Sequence, residues 1–443
     1  MAAARLSVDC SAAQNMTQLL AQLNSAADRS DTEWLRGWGY DEANLAERRA
    51  PSADELDRAC GRRPVVLHHR TGHVAVLNRA ALDALGVEQF GAPGRGADGV
   101  ERSIDGRATG TLIEARRLLG GVPAMPTAAI DAAMSDVSRR LSQQGVTALT
   151  DATATNALSD LAELDSWLRR EIVQQRVTAL LAVSAVADAE SAGVTTLASP
   201  SDRASSCRVV GAKISAAAGD IFDQVALARQ YGWPVAVHAT EIDELEAALS
   251  AVEKFGAPAW GRDRIEHLGL ALPEQILRLA ASGAAVVSNP AFLAERGHKY
   301  VENLSSVEAE WLYPVHSLIA RGITVAAASD GPVTLAGPLD SARAAVDRVV
   351  RWGAAAGQVI ARSERVSAEL ALAMITTAPA ELAGDYPSLR RGGAADFTIL
   401  DRDPRTALSE VGIVATVVAG EVTAVGAGLD PSILVPPRIY DSM

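Results

Sequence analysis

Arg264-Ile-Glu-His267-Leu268, then Pro273-Glu-Gln-Ile-Leu-Arg-Leu-Ala-Ala-Ser282, then Ala284-Ala-Val-Val-Ser288 follow one another in the chain. The outer runs are short and strand-like. The middle one predicts a helix, and strand–helix–strand indicates a parallel βαβ unit. The same rhythm extends in both directions. Strand-like runs cover 146–150, 177–183, 208–214, 234–239, 264–268, 284–288 and 324–328. Helical patterns lie between them. Residues 128–144 put Ile130, Met134, Val137 and Leu141 on one face, with Thr127 able to cap the start and Gly145 the end. Residues 157–170 do the same with Leu158, Leu161, Leu164 and Leu168, and 242–255 and 273–282 continue the alternation. A closed parallel barrel needs eight strands, so this count is one short.

The flanks read differently. Residues 64–69 predict a strand that runs into His69-Arg-Thr-Gly-His73, followed by a helix at 79–85. Residues 91–110 are rich in Gly, Asp and Arg and read as a surface loop. The first 145 residues or so therefore read as an elaboration on the barrel face. At the other end, Gly392-Gly393-Ala-Ala-Asp396 turns into a strand, and 413–418 with 422–425 predicts a hairpin. An isolated hairpin is marginal in water, so these strands need a further partner.

Composition excludes several classes. The 443 residues are 48% hydrophobic, enough for a large core that one α/β barrel can absorb. The net charge of −13 argues against nucleic acid and anionic membranes as partners. Cys10, Cys60 and Cys207 are odd in number and widely spaced, which points to a reducing compartment. The N-terminus lacks a signal-peptide pattern, and no apolar run reaches the roughly 18 residues of a membrane span. A cytoplasmic protein is expected.

Four residues stand at the ends of predicted strands, where a barrel delivers reactive groups. They are Lys213, His238, His267 and Asp330. No His-x-His pair occurs anywhere in the chain. Each residue has a plainer reading. Either histidine alone reads equally as an ordinary core or surface side chain. Lys213 could reach solvent or pair with a carboxylate. Asp330-Gly331-Pro332 is also a good turn sequence. His69 and His73 have the i, i+4 spacing of a helical metal pair, but Gly72 and the preceding strand argue for a loop.

Taken in order along the chain, these segments resemble the amidohydrolase superfamily. The likeness is to the "amidohydrolase 3" branch that includes N-substituted formamide deformylases. It rests on Trp34-Leu-Arg-Gly-Trp-Gly-Tyr-Asp41, His69-Arg-Thr-Gly-His73 with Leu77-Asn78, and Gly145-Val-Thr-Ala-Leu-Thr-Asp151. It continues through Val237-His238-Ala239, Arg264-Ile-Glu-His267, Ser329-Asp330-Gly-Pro-Val-Thr334 and Gly393-Ala-Ala-Asp396.

The resemblance implies an α/β fold: a TIM-type (β/α)8 barrel with its first strand missing from this chain, plus a partial C-terminal β-sandwich. The barrel with its N-terminal elaboration would occupy 1–385, and the sandwich and tail 386–443. The resemblance also implies a divalent metal, zinc first, with iron, manganese or cobalt as alternatives, as one or two ions. Lys213 matches a fourth-strand lysine that carries a carbamate, His238 and His267 the fifth- and sixth-strand histidines, and Asp330 the eighth-strand aspartate. The first-strand His-x-His has no match. Three explanations follow: a split enzyme whose small subunit supplies that strand, a chain whose N-terminal segment stands outside these 443 residues, or a degenerate homologue.

The chemistry suits these residue types. A divalent cation polarises a carbonyl and lowers the pKa of water toward about 7. Three protein ligands with an open position make the catalytic zinc pattern. A buried lysine loses its proton readily and its amine could then take up CO2. Asp330 would act as general base and then general acid. His69, His73, Phe292, His298 and Tyr300 are expected to contact substrate, and Asp151 to support the metal site. The expected activity is hydrolysis of a non-peptide C–N bond in a small amide-type substrate. Other readings are an inactive regulatory or scaffolding subunit and a deaminase or lactonase. A homo-oligomer is a further expectation.

Overall fold

Val8–Asp9 (β1), Leu35–Tyr40 (β2) and Val65–His69 (β3) pair side by side in parallel, with helices Met16–Arg29 and Ala53–Cys60 as the crossovers. β3 then turns back into Val74–Leu77 (β4), which pairs antiparallel with it. Gly94–Arg95 (β5), Val100–Arg102 (β6) and Ala108–Ile113 (β7) extend the sheet in the order β1-β2-β3-β4-β7-β6-β5. These elements come from a computed structural model that describes residues 1–29, 32–87, 91–96, 98–194, 206–216, 219–385, 389, 391 and 393–426. The chain divides into two compact units, Met1–Val137 with Gly331–Val333, and Ser138–Asp330 with Thr334–Met443.

The first unit buries both faces of its sheet. Leu67 packs with Leu19, Leu23 and Leu56 on one side, whereas Val66 packs with Leu77, Leu82 and Leu112 on the other. Ser52 starts helix Ala53–Cys60 with a capping box, its hydroxyl accepting from the Glu55 N–H while the Glu55 carboxylate accepts from the Ser52 N–H. Two readings of this region are corrected. Residues 91–110 hold strands where a surface loop is expected. The opening third also contains its own strand–helix–strand–helix–strand series, where the sequence suggests an elaboration without one. Gly110 shows why the strands are hard to read. Its φ is +104°, and a Cβ there would sit 2.5 Å from the Leu77 carbonyl oxygen. Close backbone approach demands glycine in mid-strand, which weakens the strand signal.

The second unit follows the predicted rhythm. Its strands are Ala148–Asp151 (β8), Arg176–Ala182 (β9), Arg208–Ile214 (β10), Val235–Ala239 (β11), Arg264–His267 (β12), Ala285–Ser288 (β13) and Val325–Ala327 (β14). All pair in parallel with their neighbours in chain order, so this is an α/β unit with one seven-stranded parallel sheet. Among the described residues the ladder ends at β8 and β14. Thr127–Gln143, Leu158–Arg169, Ile242–Phe255 and Pro273–Ser282 are helices at the predicted positions. The apolar stripes of the last two meet one face of the strands: Leu245, Leu249, Ile276 and Leu279 pack with Val235, Val237, Ile265 and Val286.

The C-terminal strands find their partner within the same unit. Phe397–Leu400 (β15) pairs antiparallel with Ile413–Val418 (β16), which pairs with Glu421–Val425 (β17). The predicted hairpin is thus the outer part of a three-stranded sheet. The Thr416 hydroxyl donates to the Ser142 carbonyl at 2.7 Å and the Thr398 hydroxyl to the Gly145 carbonyl at 2.9 Å, tying this sheet to the end of helix Thr127–Gln143. The tail from 427 onward, part of the predicted sandwich segment, lies outside the described residues.

Candidate functional site

In a parallel sheet every strand delivers its C-terminal end to the same edge. Lys213 is the penultimate residue of β10, His238 the penultimate of β11 and His267 the last of β12, while Asp330 lies just beyond β14. Register fixes which way they face. Lys213 stands beside Ala236, Ala236 beside Arg264, and His238 beside Glu266. Side chains alternate along a strand, so Lys213, His238, Arg264 and Glu266 share the face opposite to the helix-packed one.

His267 should point the other way. It stands beside Ala239, with the parity of Val237 and Ile265 that meets the helices. The backbone breaks the alternation instead. The φ angle is +72° at His267 and +47° at Leu268. The His267 ring comes to lie edge-on to that of His238, with centroids 4.6 Å apart. Left-handed backbone at residues other than glycine is costly, and it concentrates at functional sites. Asp330, with φ +55°, shares the feature.

A hydrogen-bond chain sets the tautomer of His267. The Asn289 amide nitrogen donates to the Ala328 carbonyl at 3.0 Å, which leaves its oxygen facing Nδ1 of His267 at 2.8 Å. That oxygen can only accept, so Nδ1 carries the proton and Nε2 carries the lone pair. Metal-binding histidines are commonly held in this way.

Charged groups line the same face. Arg264 and Glu266 form a buried ion pair at 2.6 Å. Lys213 is 7% exposed and, among the described residues, makes no ion pair. Burial lowers its pKa, as does Arg264, against the opposing charges of Glu266 and Asp330. The neutral amine is therefore more accessible than in water. For Glu266, burial works upward, but Arg264, Lys213 and His267 outweigh it and hold the carboxyl below its ordinary value. The donor atoms of His238, His267 and Asp330 do not all fall within 4.8 Å of one another. Among the described residues the trio that meets this spacing is Asp41, Glu42 and His69.

The remaining predicted residues fall in two groups. Phe292, His298 and Tyr300 all lie on helix Ala291–Asn303. Phe292 is buried and edge-on to Tyr313 at 6.3 Å, and the Tyr300 hydroxyl meets the Tyr313 hydroxyl at 2.9 Å. His69 and His73 belong to the first unit, where β3 and β4 form the hairpin that carries them, and no helix joins them. His73 meets Glu114, whereas His69 is buried against Asp41 and Glu42. Asp151 ends β8, and its carboxylate accepts from the Thr153 N–H at 2.8 Å.

The amidohydrolase family profile matches residues 2–424. The chain belongs to this family. Among its relatives is the N-substituted formamide deformylase of Arthrobacter pascens, 25% identical over 430 residues, 84% of this chain and 74% of that protein. The fold is shared with an uncharacterized metal-dependent hydrolase from Pyrococcus horikoshii OT3, at 22% identity and a TM-score of 0.68, covering 91% of this chain and 83% of that one. A second, from Pyrococcus furiosus, has 23% identity and a TM-score of 0.65 over 91% and 84% of the two chains. Family membership supports a hydrolytic role for this amidohydrolase. Among the described residues, no helix is long and apolar enough to cross a membrane.

Sequence reasoning passed over Asn289, Arg264, Glu266, Asp41 and Glu42. Asn289 had a legible signal, because it follows an apolar strand just as the two histidines do. The others lacked one. A charged residue inside or just after a strand declares its partner only when the neighbouring strand's register is known.

Proposed function

We propose that this amidohydrolase hydrolyses a non-peptide C–N bond, of amide type, in a small molecule. The reading rests above all on the paired His238 and His267 rings, with Nδ1 of His267 held by Asn289. Lys213, His238, His267 and Asp330 would hold one or two divalent cations, with zinc the first choice and iron, manganese or cobalt the others. When bound, the cation supplies a polarised carbonyl and an acidified water. Asp330 would take a proton from the attacking water and return it to the leaving amine. Asn289 keeps the His267 lone pair on Nε2. Lys213 would carry a carbamate, its neutral amine adding CO2 and releasing one proton to solvent, which a lowered pKa favours. Phe292, His298 and Tyr300 shape the substrate side.

The 443 residues contain no His-x-His. Two further imidazoles from a small partner chain would complete the coordination. The three free cysteines suit a cytoplasmic setting.

The test is metal content and amidase activity of the purified chain and of its His238→Ala and His267→Ala variants. We expect both quantities to fall together. Measuring again with an added His-x-His polypeptide should raise activity. Amide hydrolysis at an unchanged rate in the chelator-stripped protein would defeat the reading. A metal-free, inactive chain that nothing restores would favour a scaffolding subunit instead.

A further inference from the structure

We propose that Asp41, Glu42 and His69 form a binding site for a divalent transition metal within the N-terminal unit, on a ligand set separate from the histidines of the parallel sheet. The site grows from two neighbouring parallel strands. β2 and β3 run side by side with Tyr40 in register with His69. Asp41 follows β2 and caps a short 3₁₀ turn, Glu42–Asn44, by accepting the Ala43 N–H at 3.1 Å. That cap fixes the Asp41 carboxylate and sets Glu42 immediately after it. The imidazole of His69 ends β3 opposite both.

Two carboxylates converge on one imidazole nitrogen. Nε2 of His69 lies 3.2 Å from Oε2 of Glu42 and 3.7 Å from Oδ1 of Asp41. It is buried and makes no hydrogen bond, although two carboxylates face it. Ligands about 2.1 Å from a zinc-like ion stand roughly 3.0–3.5 Å from one another in tetrahedral or octahedral geometry, close to the spacings seen. His69 is 6% exposed and Asp41 4%. Buried polar atoms are rarely left unsatisfied, and one that is calls for an unseen ion or water.

The surroundings support the ligand role. Nδ1 of His69 meets the Thr71 hydroxyl at 2.8 Å, with the Thr71 N–H at 3.2 Å. The Thr71 N–H donates to Nδ1 and fixes the ring, so a cation at Nε2 would replace the proton held there. The Tyr40 ring stands edge-on to His69 at 5.2 Å and walls the site. Arg70 approaches the other Asp41 oxygen, Oδ2, at 3.6 Å, so Oδ1 keeps its direction toward His69. The Glu42 side chain is 47% exposed, which gives an ion a way in and a position for water. Two carboxylates and one imidazole suit Zn2+, Mn2+, Fe2+ or Co2+ more than the all-oxygen cages of Ca2+.

The experiment uses the full chain carrying His238→Ala and His267→Ala, stripped with a chelator and titrated with Co2+. We expect one equivalent to bind, with visible d–d absorption. Adding Glu42→Gln should weaken that binding by at least about tenfold, and His69→Gln should abolish the absorption. Glu42 is half exposed, so its variant remains readable even if His69→Gln unfolds. Absence of Co2+ binding in the double variant overturns the proposal. So does an affinity that Glu42→Gln leaves unchanged, the result expected if His69 is merely a protonated partner of the two carboxylates. Failure of the parallel-sheet site shows separately, as equal Co2+ binding by the unmodified chain and the double variant.

Discussion

The N-terminal unit and the parallel-sheet unit use one device in two settings. In each, neighbouring parallel strands bring acidic or imidazole groups together at their C-terminal ends: Asp41, Glu42 and His69 after β2 and β3, and His238 and His267 on β11 and β12, with Lys213 on the adjacent β10. They differ in regularity. The second unit repeats strand and helix at even intervals, each strand flanked by helices whose apolar stripes cover it. The first begins as strand–helix–strand–helix–strand and then folds back through four antiparallel or edge strands. Where the repeat is even, chain periodicity announces the site. Where the topology changes direction, the same kind of site is hidden.

The comparison can be broken most severely at the proposed catalytic group. Asp330→Asn should lower kcat by about 10²–10⁴-fold, the usual weight of a proton-transfer group, with a smaller change in metal content. Equal activity in that variant would remove the second unit's claim to the chemistry.

Core substitutions sharpen it next. Ile265 and Leu67 are both fully buried, in the second and first unit respectively. Ile265→Ala and Leu67→Ala should each cost about 2–5 kcal/mol. Hydrogen exchange should show the loss at the β11–β13 amides in one case and the β2–β4 amides in the other. Losses spread evenly over both sheets would deny that the cores are separate.

Gly110→Ala is expected to cost about 1–3 kcal/mol through left-handed backbone strain, with the Leu77 carbonyl clash adding to it. Chemical denaturation would register it as a lower midpoint. No change there would mean the antiparallel part of the first sheet is looser than its packing implies.

The smallest effect concerns the Ser52 cap. Ser52→Ala should cost about 1 kcal/mol. Arg49 holds the Glu55 carboxyl down to about 2 from its ordinary 4.5, aided by Ser52. A depressed carboxylate stabilises fully above its unfolded value. Its contribution should therefore fade as pH falls below about 4.5 and vanish below about 2. A Glu55→Gln variant should lose this acid sensitivity in thermal melts.

Legibility followed physical causes at particular residues. Most strands of the second unit were readable because short Val- and Ala-rich runs, such as Val235–Ala239 and Ala285–Ser288, stand out between amphipathic helices. The strands within 91–110 were not, since glycine and charged residues there serve close approach and edge positions. The C-terminal hairpin was readable from its turn, but its third strand, Phe397–Leu400, could be assigned only once the pairing was seen.

The sequence by itself determined the strand–helix alternation from Ala148 onward, and with it the location of Lys213, His238 and His267 at strand ends, because apolar periodicity is local. Tertiary structure alone decided that His267 turns against its own alternation to meet His238, that Asn289 holds it there, and that His69 faces two carboxylates. Those outcomes depend on positive φ angles, strand register and contacts between residues distant in the chain, none of which a local pattern encodes.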